Sequence, residues 1–122
     1  MTNALVAVTL VVRDYDEAIE YSTNSMGCKL VEDSPLPDGK RWVIVAPDGS
    51  PSLRLLLARA ATPAQEAAIG NQTGGRVSFF LHTSDFQRTY QRMREDGVTF
   101  FELPRTEAYG TVAVFADLYG NH

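Results

Sequence analysis

The stretch Leu5–Tyr21, LVAVTLVVRDYDEAIEY, organises the rest of the sequence. A continuous β-branched apolar run, an acidic turn and the start of an amphipathic segment predict a strand followed by a capped helix. The chain repeats this pattern at Val77–Tyr90, VSFFLHTSDFQRTY, and Asp14 and Asp85 are 71 residues apart. A unit of roughly 60–70 residues is therefore predicted to occur twice.

Composition limits the classes of function. The chain has 122 residues, of which 44% are hydrophobic and 21% charged, as in an ordinary globular domain. A net charge of −4 gives no support to nucleic-acid binding. No apolar run approaches the roughly 20 residues of a membrane span. The start of the chain lacks a signal-peptide pattern, and the single Cys28 cannot form an internal disulfide. These features predict a cytoplasmic protein.

Alternation divides the first strand into two sets of side chains. One set contains only apolar residues, and the other is smaller and more polar, which suggests that the second set lines a cavity. The apolar set is Val6, Val8, Leu10 and Val12, and the second set is Ala7, Thr9 and Val11.

Turn and cap signals predict the other elements of a first β-α-β-β-β module, about residues 4–59. Asp14 is the expected cap of the first helix, and Gly27 is its expected end. The predicted strands that follow are Lys29–Ser34, Arg41–Ala46 and Ser52–Ala58, separated by turns at Pro35–Gly39 and Pro47–Ser50. A short helix capped by Thr62 and a glycine-rich joint form a connector of about residues 60–75.

The second module is expected from about residue 76 to residue 122, within a single domain. Ser84 or Asp85 caps its helix, which packs through Phe86, Tyr90 and Met93. The predicted strands are Arg76–Thr83, Val98–Leu103 and Thr111–Phe115, with a loop at Pro104–Gly110.

Five stretches resemble the glyoxalase / bleomycin-resistance / extradiol-dioxygenase superfamily, which has the vicinal oxygen chelate fold: TLVVRDYDEAIEY, GKRWVIVAPDG, GGRVSFFLHTSDF, DGVTF and GTVAVFADLYGN. The resemblance covers nearly the whole chain in the expected order. It implies an α+β fold of two paired βαβββ modules, whose mixed sheet curls around a concave cavity, and commonly a homodimer. Known members chelate a metal for lyase, isomerase, epimerase or dioxygenase chemistry, or bind a drug without metal.

The metal ligands of that family are not matched here. At the family's first ligand position this chain has Ala7, and the repeat places Ser78 at the second. The stretch Ser52–Arg59, where the family carries a glutamate, contains no Asp, Glu, His or Cys. An open metal site usually needs about three such ligands. We therefore predict no bound metal and no other cofactor.

The candidate ligand-binding residues face the predicted cavity or its mouth, and each also has a purely structural interpretation. They are Thr9, Val11, Trp42, Arg54, Ser78, Phe80, Tyr109 and Phe115. Arg54 interrupts a leucine-rich strand, so it is either solvated or paired internally, or it binds an anionic group. His82 is either a hydrogen-bonded imidazole at a strand end or a ligand contact and acid/base.

Three functions follow, in order of preference. The first is a metal-free protein that binds a small molecule, for which an aromatic, anionic compound is expected. The second is an enzyme that uses the same cavity without metal, with His82 as acid/base. The third is a metal-dependent lyase/isomerase or dioxygenase.

The last predicted strand of the first module, Ser52–Ala58, has no counterpart in the second module before His122. We therefore expect Thr111–Phe115 to present an open edge or to be covered by a partner chain. We also expect a chain extended by about eight alternating residues to be more stable.

Overall fold

The structure is a computed structural model that describes residues 3–47 and 53–122. The elements in chain order are β1 (Ala7–Val12), α1 (Tyr15–Asn24), β2 (Cys28–Pro35), a 3₁₀ helix (Pro37–Gly39), β3 (Arg41–Pro47), β4 (Arg54–Arg59), α2 (Pro63–Ala68), α3 (Phe86–Glu95), β5 (Arg105–Glu107) and β6 (Gly110–Val112). The chain divides into two compact units, the first ending at Ile69 and the second beginning at Gly70. Among the described residues, no helix has the length and apolar character needed to cross a bilayer.

The first unit is a four-stranded sheet in the order β1-β4-β3-β2. β1 runs parallel to β4, whereas β3 is antiparallel to both β4 and β2. The parallel pair needs a crossover connection, which α1, β2 and β3 supply. The mixed sheet with few helices confirms the predicted α+β fold. The predicted turn at residues 47–50 lies largely outside the described residues.

Helix α1 begins where its sequence predicts and ends at Asn24, three residues before the predicted end at Gly27. The Asp14 carboxylate accepts a hydrogen bond from the backbone N–H of Glu17 at 2.9 Å, which satisfies one free donor of the first turn. After the helix, Gly27 adopts φ 74°, a left-handed conformation that glycine favours. The helix buries Tyr15, Ala18 and Ser22.

The core of the first unit lies between α1 and one face of the sheet. The fully buried strand residues are Val12, Val43, Val45 and Leu57. The register places Val43 and Val45 beside Leu57 and Leu55, so all of these side chains point to the same face. Burial of apolar side chains on this face is the main stabilising contribution to the unit.

The second unit contains one helix and one short hairpin among its described residues. The Asp85 side chain caps α3 by accepting a hydrogen bond from the backbone N–H of Arg88 at 3.2 Å. Met93 is the buried residue of this helix. β5 and β6 pair antiparallel, with Glu107 opposite Gly110. The predicted loop at residues 104–110 is therefore wrong, because this stretch contains β5 and a tight turn.

Two of the strands predicted for the second unit do not form ladders. Residues 76–83 contain no strand, and residues 98–103 contribute only an isolated bridge between Phe100 and Phe115. Of the third predicted strand, residues 111–115, only Thr111 and Val112 belong to β6. Strand-like alternation is a local property, whereas a ladder requires a neighbour with free backbone groups.

The C-terminal turn of the second unit is held by Asp117 and Asn121. The Asp117 carboxylate accepts from the backbone N–H of Asn121 at 2.8 Å and from its side-chain amide at 2.8 Å. The Asn121 side-chain oxygen accepts from the N–H of Gln72 at 3.2 Å. This buried network joins the two ends of the unit.

Candidate functional site

Four of the predicted ligand-binding residues share one face of the first-unit sheet. The register pairs Thr9 with Leu56 and Val11 with Ala58, so these side chains point in the same direction. That direction is opposite to the core face, because alternate residues of a strand point to opposite faces. The residues of this surface, called the open face below, are Ala7, Thr9, Val11, Trp42, Ile44, Ala46, Arg54, Leu56 and Ala58. Helix α1 packs on the opposite, core face of the sheet.

Arg54 is exposed at the start of β4. It lies beside Ala7 of β1, and extending the antiparallel β3–β4 register by one residue beyond Val45 and Leu55 places Ala46 on its other side. Neither neighbour is charged, and no ion pair or side-chain hydrogen bond joins Arg54 to another described residue. Because the side chain is exposed, the desolvation cost that applies to a buried guanidinium is absent.

Trp42 forms an apolar part of the open face. Its side chain is 42% exposed, although it lies in a central strand. Its partner across the β2–β3 ladder is Ser34, a small residue that leaves the indole ring uncovered. Ile44, two residues further along β3, is buried and supplies a floor between Trp42 and Arg54. The open face therefore offers an aromatic ring, an aliphatic floor and a cation.

Sequence analysis missed Lys29 and Glu32 on the same face. Lys29 pairs with Ala46, and Glu32 pairs with Ile44, although three positions separate them on β2. The register shifts between Leu30 and Glu32, so an extra residue reverses the alternation along this strand. A bulge of this kind has no unambiguous signature in the sequence. The surface beside Arg54 is thus more cationic than predicted, and Glu32 adds an anion two strands away.

The core face of the same sheet carries a separate charged cluster that fixes α1. Arg41 pairs with Asp33 at 2.7 Å and with Asp16 at 2.9 Å, and its guanidinium lies 5.1 Å from the centre of the Tyr15 ring. The hydrogen bond from Arg41 lowers the pKa of Asp33 below its usual value, although partial burial opposes the change. The Tyr15 hydroxyl accepts from the backbone N–H of Arg41 at 3.2 Å. These contacts are structural, because they connect a helix to two strands.

In the second unit, Ser78 contacts the end of the chain. Its backbone N–H and its hydroxyl both donate to the carbonyl oxygen of His122, each at 2.9 Å. Phe80, two residues later, is 88% exposed, and His82 is also exposed. No hydrogen bond connects His82 to another described residue.

Phe115 and Tyr109 belong to different local clusters. The Phe115 ring lies 5.6 Å from that of Phe100, which in turn contacts Tyr90 of α3 at 4.7 Å. The Phe100 ring therefore contacts both Phe115 and Tyr90 of α3. Tyr109 is 76% exposed at the tip of the β5–β6 hairpin. Hydrogen bonds with Glu107, Tyr109 and Glu102 raise the pKa of Arg105, so Tyr109 is also an anchor for that side chain.

A cleft of about 580 Å³ in the second unit contains none of the predicted residues. It lies between the end of α3 and residues 97–103, and it is open to solvent. The Arg94 guanidinium sits 5.6 Å from the centre of the Tyr90 ring at its wall. The Glu102 carboxylate, also in the wall, accepts from Arg105 and from the N–H of Val114. Because its charged groups already have partners, we consider the cleft a weaker candidate than the open face.

The described residues contain no group of three or more His, Cys, Asp or Glu side chains that could hold a metal ion. Ala7 is exposed on the open face and has no donor atom. The Ser78 hydroxyl already donates to His122. Neither of the two positions that correspond to the family's metal ligands therefore offers a suitable group, and the residues present do not fit the family metal.

Comparisons with known proteins agree with this architecture. An uncharacterized protein of Shewanella frigidimarina is 52% identical over 99% of this chain and 90% of its own length. The crystal structure of UcmS2 matches with a TM-score of 0.85 at 29% identity, over 99% of this chain and 95% of that one. TnmS3, an antibiotic binding protein from Streptomyces sp. CB03234, matches with a TM-score of 0.77 at 27% identity, over 98% and 91%.

The sequence pattern of one family matches nearly the whole chain, at residues 4–122. The match includes β1, whose alternation defines the open face, and the C-terminal turn at Asp117 and Asn121. It agrees with the resemblance identified from the five sequence stretches. The chain belongs to the Glyoxalase/Bleomycin resistance protein/Dioxygenase superfamily.

Proposed function

We propose that this protein binds a flat apolar small molecule that carries an anionic group, and that the open face of the first unit is part of the binding site. The observation that carries the proposal is Arg54, an exposed guanidinium without a protein partner among the described residues, on the same face as Trp42. Its planar group presents several N–H donors that match a carboxylate or a phosphate. The description of TnmS3 as an antibiotic binding protein supports a small organic ligand.

The chemistry of the face indicates how such a molecule binds. An aromatic ring stacks on Trp42, and the half-buried Leu56 adds apolar contact. The anionic group is then within reach of Arg54 at the other end of the face. Thr9 supplies a hydroxyl between them. Small-molecule sites combine apolar surface with a few polar groups that fix orientation. Ser78, Phe80, Tyr109 and Phe115 of the second unit stay predicted ligand-binding residues.

A ligand screen with two arginine variants tests this proposal. Arg54→Leu is expected to weaken anionic aromatic hits at least tenfold and neutral analogues less than twofold, because only the anion loses its partner. Arg94→Leu is the matched control, since Arg94 is an exposed arginine in the cleft of the second unit. Equal losses for anionic and neutral compounds would show that Arg54 is structural. If only Arg94→Leu weakened ligand binding, the binding site would be the cleft of the second unit and not the open face.

We also propose that binding needs no metal and no other cofactor. The donor set supports this, because Ala7 and Ser78 stand where the family's metal-dependent members have ligands. Elemental analysis after dialysis against Zn²⁺, Ni²⁺, Mn²⁺ or Fe²⁺ should find well under one ion per chain. One tightly held ion that is lost on mutation of the open face would contradict the proposal.

The proposed assembly is a cytoplasmic homodimer. Large apolar side chains are exposed on each unit, including Leu5 at 90% and Leu103 at 79%. Exposed apolar side chains such as these could be covered by a second copy of the chain, as in the homodimers that are common in the superfamily. Light scattering should give twice the chain mass at micromolar concentration. A monomer mass up to 100 μM would contradict this part of the proposal.

The enzymatic alternatives stay predictions. In the metal-free alternative His82 acts as acid/base, and a pH–rate profile would lose its histidine limb on His82→Ala. Lyase or isomerase activity would need such a group in contact with substrate. A metal-independent turnover that depends on His82 would establish this alternative in place of simple binding.

A further inference from the structure

The bulge in β2 turns the Glu32 side chain to the open face. Lys29 lies on that face, and regular alternation would place there the residues two and four positions after it. The register shift before Glu32 breaks this alternation, so Glu32 pairs with Ile44 on the open face and Asp33 points to the core face. Bulges that redirect a side chain in this way are frequent beside functional sites.

The Glu32 carboxylate is held on the side of Trp42. It accepts a hydrogen bond from the Ser34 hydroxyl at 3.1 Å. Ser34 is the register partner of Trp42 on the adjacent strand β3. Residues that are directly opposite in an antiparallel pair have Cβ atoms about 4.5–5.5 Å apart. The hydrogen bond to Ser34 therefore keeps the carboxylate beside the exposed indole ring.

The Glu32 carboxylate can bind a cation. Its side chain is exposed, and no ion pair joins it to any other residue that the structure describes, Lys29 on the same face included. The two oxygens of a carboxylate accept hydrogen bonds at about four lone-pair positions, of which the Ser34 hydroxyl occupies one. The neighbouring Asp33, in contrast, is already paired with Arg41 on the core face.

A carboxylate beside an exposed aromatic ring has the chemistry to recognise an organic cation. A protonated amine donates charge-assisted hydrogen bonds to a carboxylate, and the face of an indole ring attracts positive charge. Glu32 and Trp42 supply both groups on one surface. The net charge of the chain, −4, adds a general attraction for cations.

Arg54 lies on the same face, at a distance that one molecule can span. Glu32 is beside Ile44, and Arg54 is beside Ala46 when the β3–β4 register is extended by one residue, so the two are two strands and two positions apart. At about 4.8 Å between strands and about 3.4 Å per residue, their Cα atoms are about 12 Å apart. The two ends of a two-ring aromatic molecule can therefore contact the carboxylate and the guanidinium together.

We propose that the ligand of the open face is zwitterionic: a flat aromatic molecule whose anionic group binds Arg54 and whose alkylammonium group binds Glu32 at the edge of Trp42. This inference rests on the proposed function, because it adds a second charged group to the same ligand. Glu32 is then the residue that selects ligands with an amine over ligands that carry only an anion. Ser34 positions the Glu32 carboxylate through its hydroxyl.

Calorimetric titration with two matched naphthoates tests the inference. One carries an aminomethyl group on the ring without the carboxylate, and the other carries an ethyl group at the same position, which is similar in size but uncharged. The unmodified chain should bind the aminomethyl compound at least fivefold more tightly than the ethyl compound. Glu32→Gln should reduce this preference to less than twofold without weakening the ethyl compound, because glutamine keeps an acceptor for Ser34 and loses only the charge.

Asp33→Asn is the matched control. It removes the same charge from the next residue of β2, whose side chain lies on the core face. The preference for the aminomethyl compound should stay within twofold of that of the unmodified chain. An equal loss of preference in Asp33→Asn and Glu32→Gln would overturn the inference, because the amine would then respond to the overall charge of the protein and not to Glu32.

The remaining outcomes separate this inference from the proposed function. If the unmodified chain binds both compounds equally and Arg54→Leu weakens both at least tenfold, the proposed function holds and the inference is overturned. A preference that persists in Glu32→Gln also overturns it, since the amine would bind elsewhere. If neither compound binds, or if Arg54→Leu weakens neither, the proposed function fails and the inference fails with it.

Discussion

Arg54 and Trp42 lie on the same face of one sheet, on neighbouring strands and four positions apart in register. Arg54 is beside Ala46, and Trp42 is four residues before Ala46 on β3. At about 3.4 Å per residue and about 4.8 Å between strands, their Cα atoms are about 14 Å apart. Because the arginine side chain is long, its guanidinium can lie closer to the Trp42 ring than the two Cα atoms lie to each other. A single drug-sized molecule can therefore contact the ring and the cation together.

Gly70 is expected to be one of the least replaceable residues of the second unit. It has φ 75°, and a Cβ atom at this position would lie 2.1 Å from the backbone oxygen of Tyr119. Gly70→Ala should reduce the free energy of unfolding by about 2–5 kcal/mol, because it adds left-handed strain to a backbone clash. Urea denaturation measures the difference.

Gly74→Ala is the control for that prediction. Gly74 has φ 68°, but a Cβ atom there would meet no atom within 4 Å. Only the left-handed strain applies, at about 1–2 kcal/mol. If the two variants were equally stable, the close approach of Gly70 to Tyr119 would not exist in solution.

The Asp33–Arg41 pair should make a small contribution to stability that depends on pH. The pKa of Asp33 is lower in the folded chain than its usual value of 3.8, so the charged form is stabilised on folding. The contribution is present above the unfolded-state value and is lost as the pH falls through the lower folded value. Asp33→Asn should therefore lower stability at pH 7 by less than about 1 kcal/mol, because the pair is partly exposed.

Thermal melts between pH 7 and pH 2 check this dependence. The difference between Asp33→Asn and the unmodified chain should narrow as the pH falls below 3.8. Glu66→Gln, on the exposed face of α2, is a control whose difference should stay near zero throughout. A difference that is unchanged at pH 2 would mean that Asp33 acts by packing rather than by charge.

The substitution Asn121→Asp should lower the free energy of unfolding. In Asn121→Asp, the side-chain amide that donates to Asp117 at 2.8 Å is replaced by a second carboxylate. Asn121 is buried, so loss of the hydrogen bond and repulsion between the two groups should cost about 2–4 kcal/mol at pH 7. The variant should recover stability as the pH falls, because protonation of one carboxyl group restores a donor. Constant instability from pH 7 to pH 4 would contradict the account.

Local signals in the sequence predicted the local structure well. Asp14, Thr62 and Asp85 all cap helices, as their positions before apolar periodic segments indicated. Gly27 and Gly97 both adopt positive φ after a helix. These features depend on a few neighbouring residues, so one sequence is sufficient to identify them.

Features that depend on distant partners were not predictable. Residues 77–83 have the composition of a strand but form no ladder with the described residues, and a ladder requires a hydrogen-bonding neighbour that local composition does not specify. The β5–β6 hairpin was missed because its turn residues, Ala108 and Tyr109, carry no hairpin signal.

The candidate site was predicted in part for the same reason. Alternation placed Thr9 and Val11 on one face of the first strand, and the register of the first unit puts Trp42 and Arg54, which were predicted separately, on that same face. The exposure of Arg54 depends on whether another element covers that face, which alternation alone does not reveal. Lys29 and Glu32 were missed because the bulge in β2 changes the alternation.

The fluorescence of Trp42 is the most direct test of the central claim. The chain contains one tryptophan, so its emission reports on the open face without interference. Titration with an anionic aromatic hit from the screen should quench and shift the emission with the affinity measured by calorimetry, and Arg54→Leu should weaken that response at least tenfold. Calorimetric binding that leaves the emission of Trp42 unchanged would contradict the claim, because the ligand would then lie elsewhere.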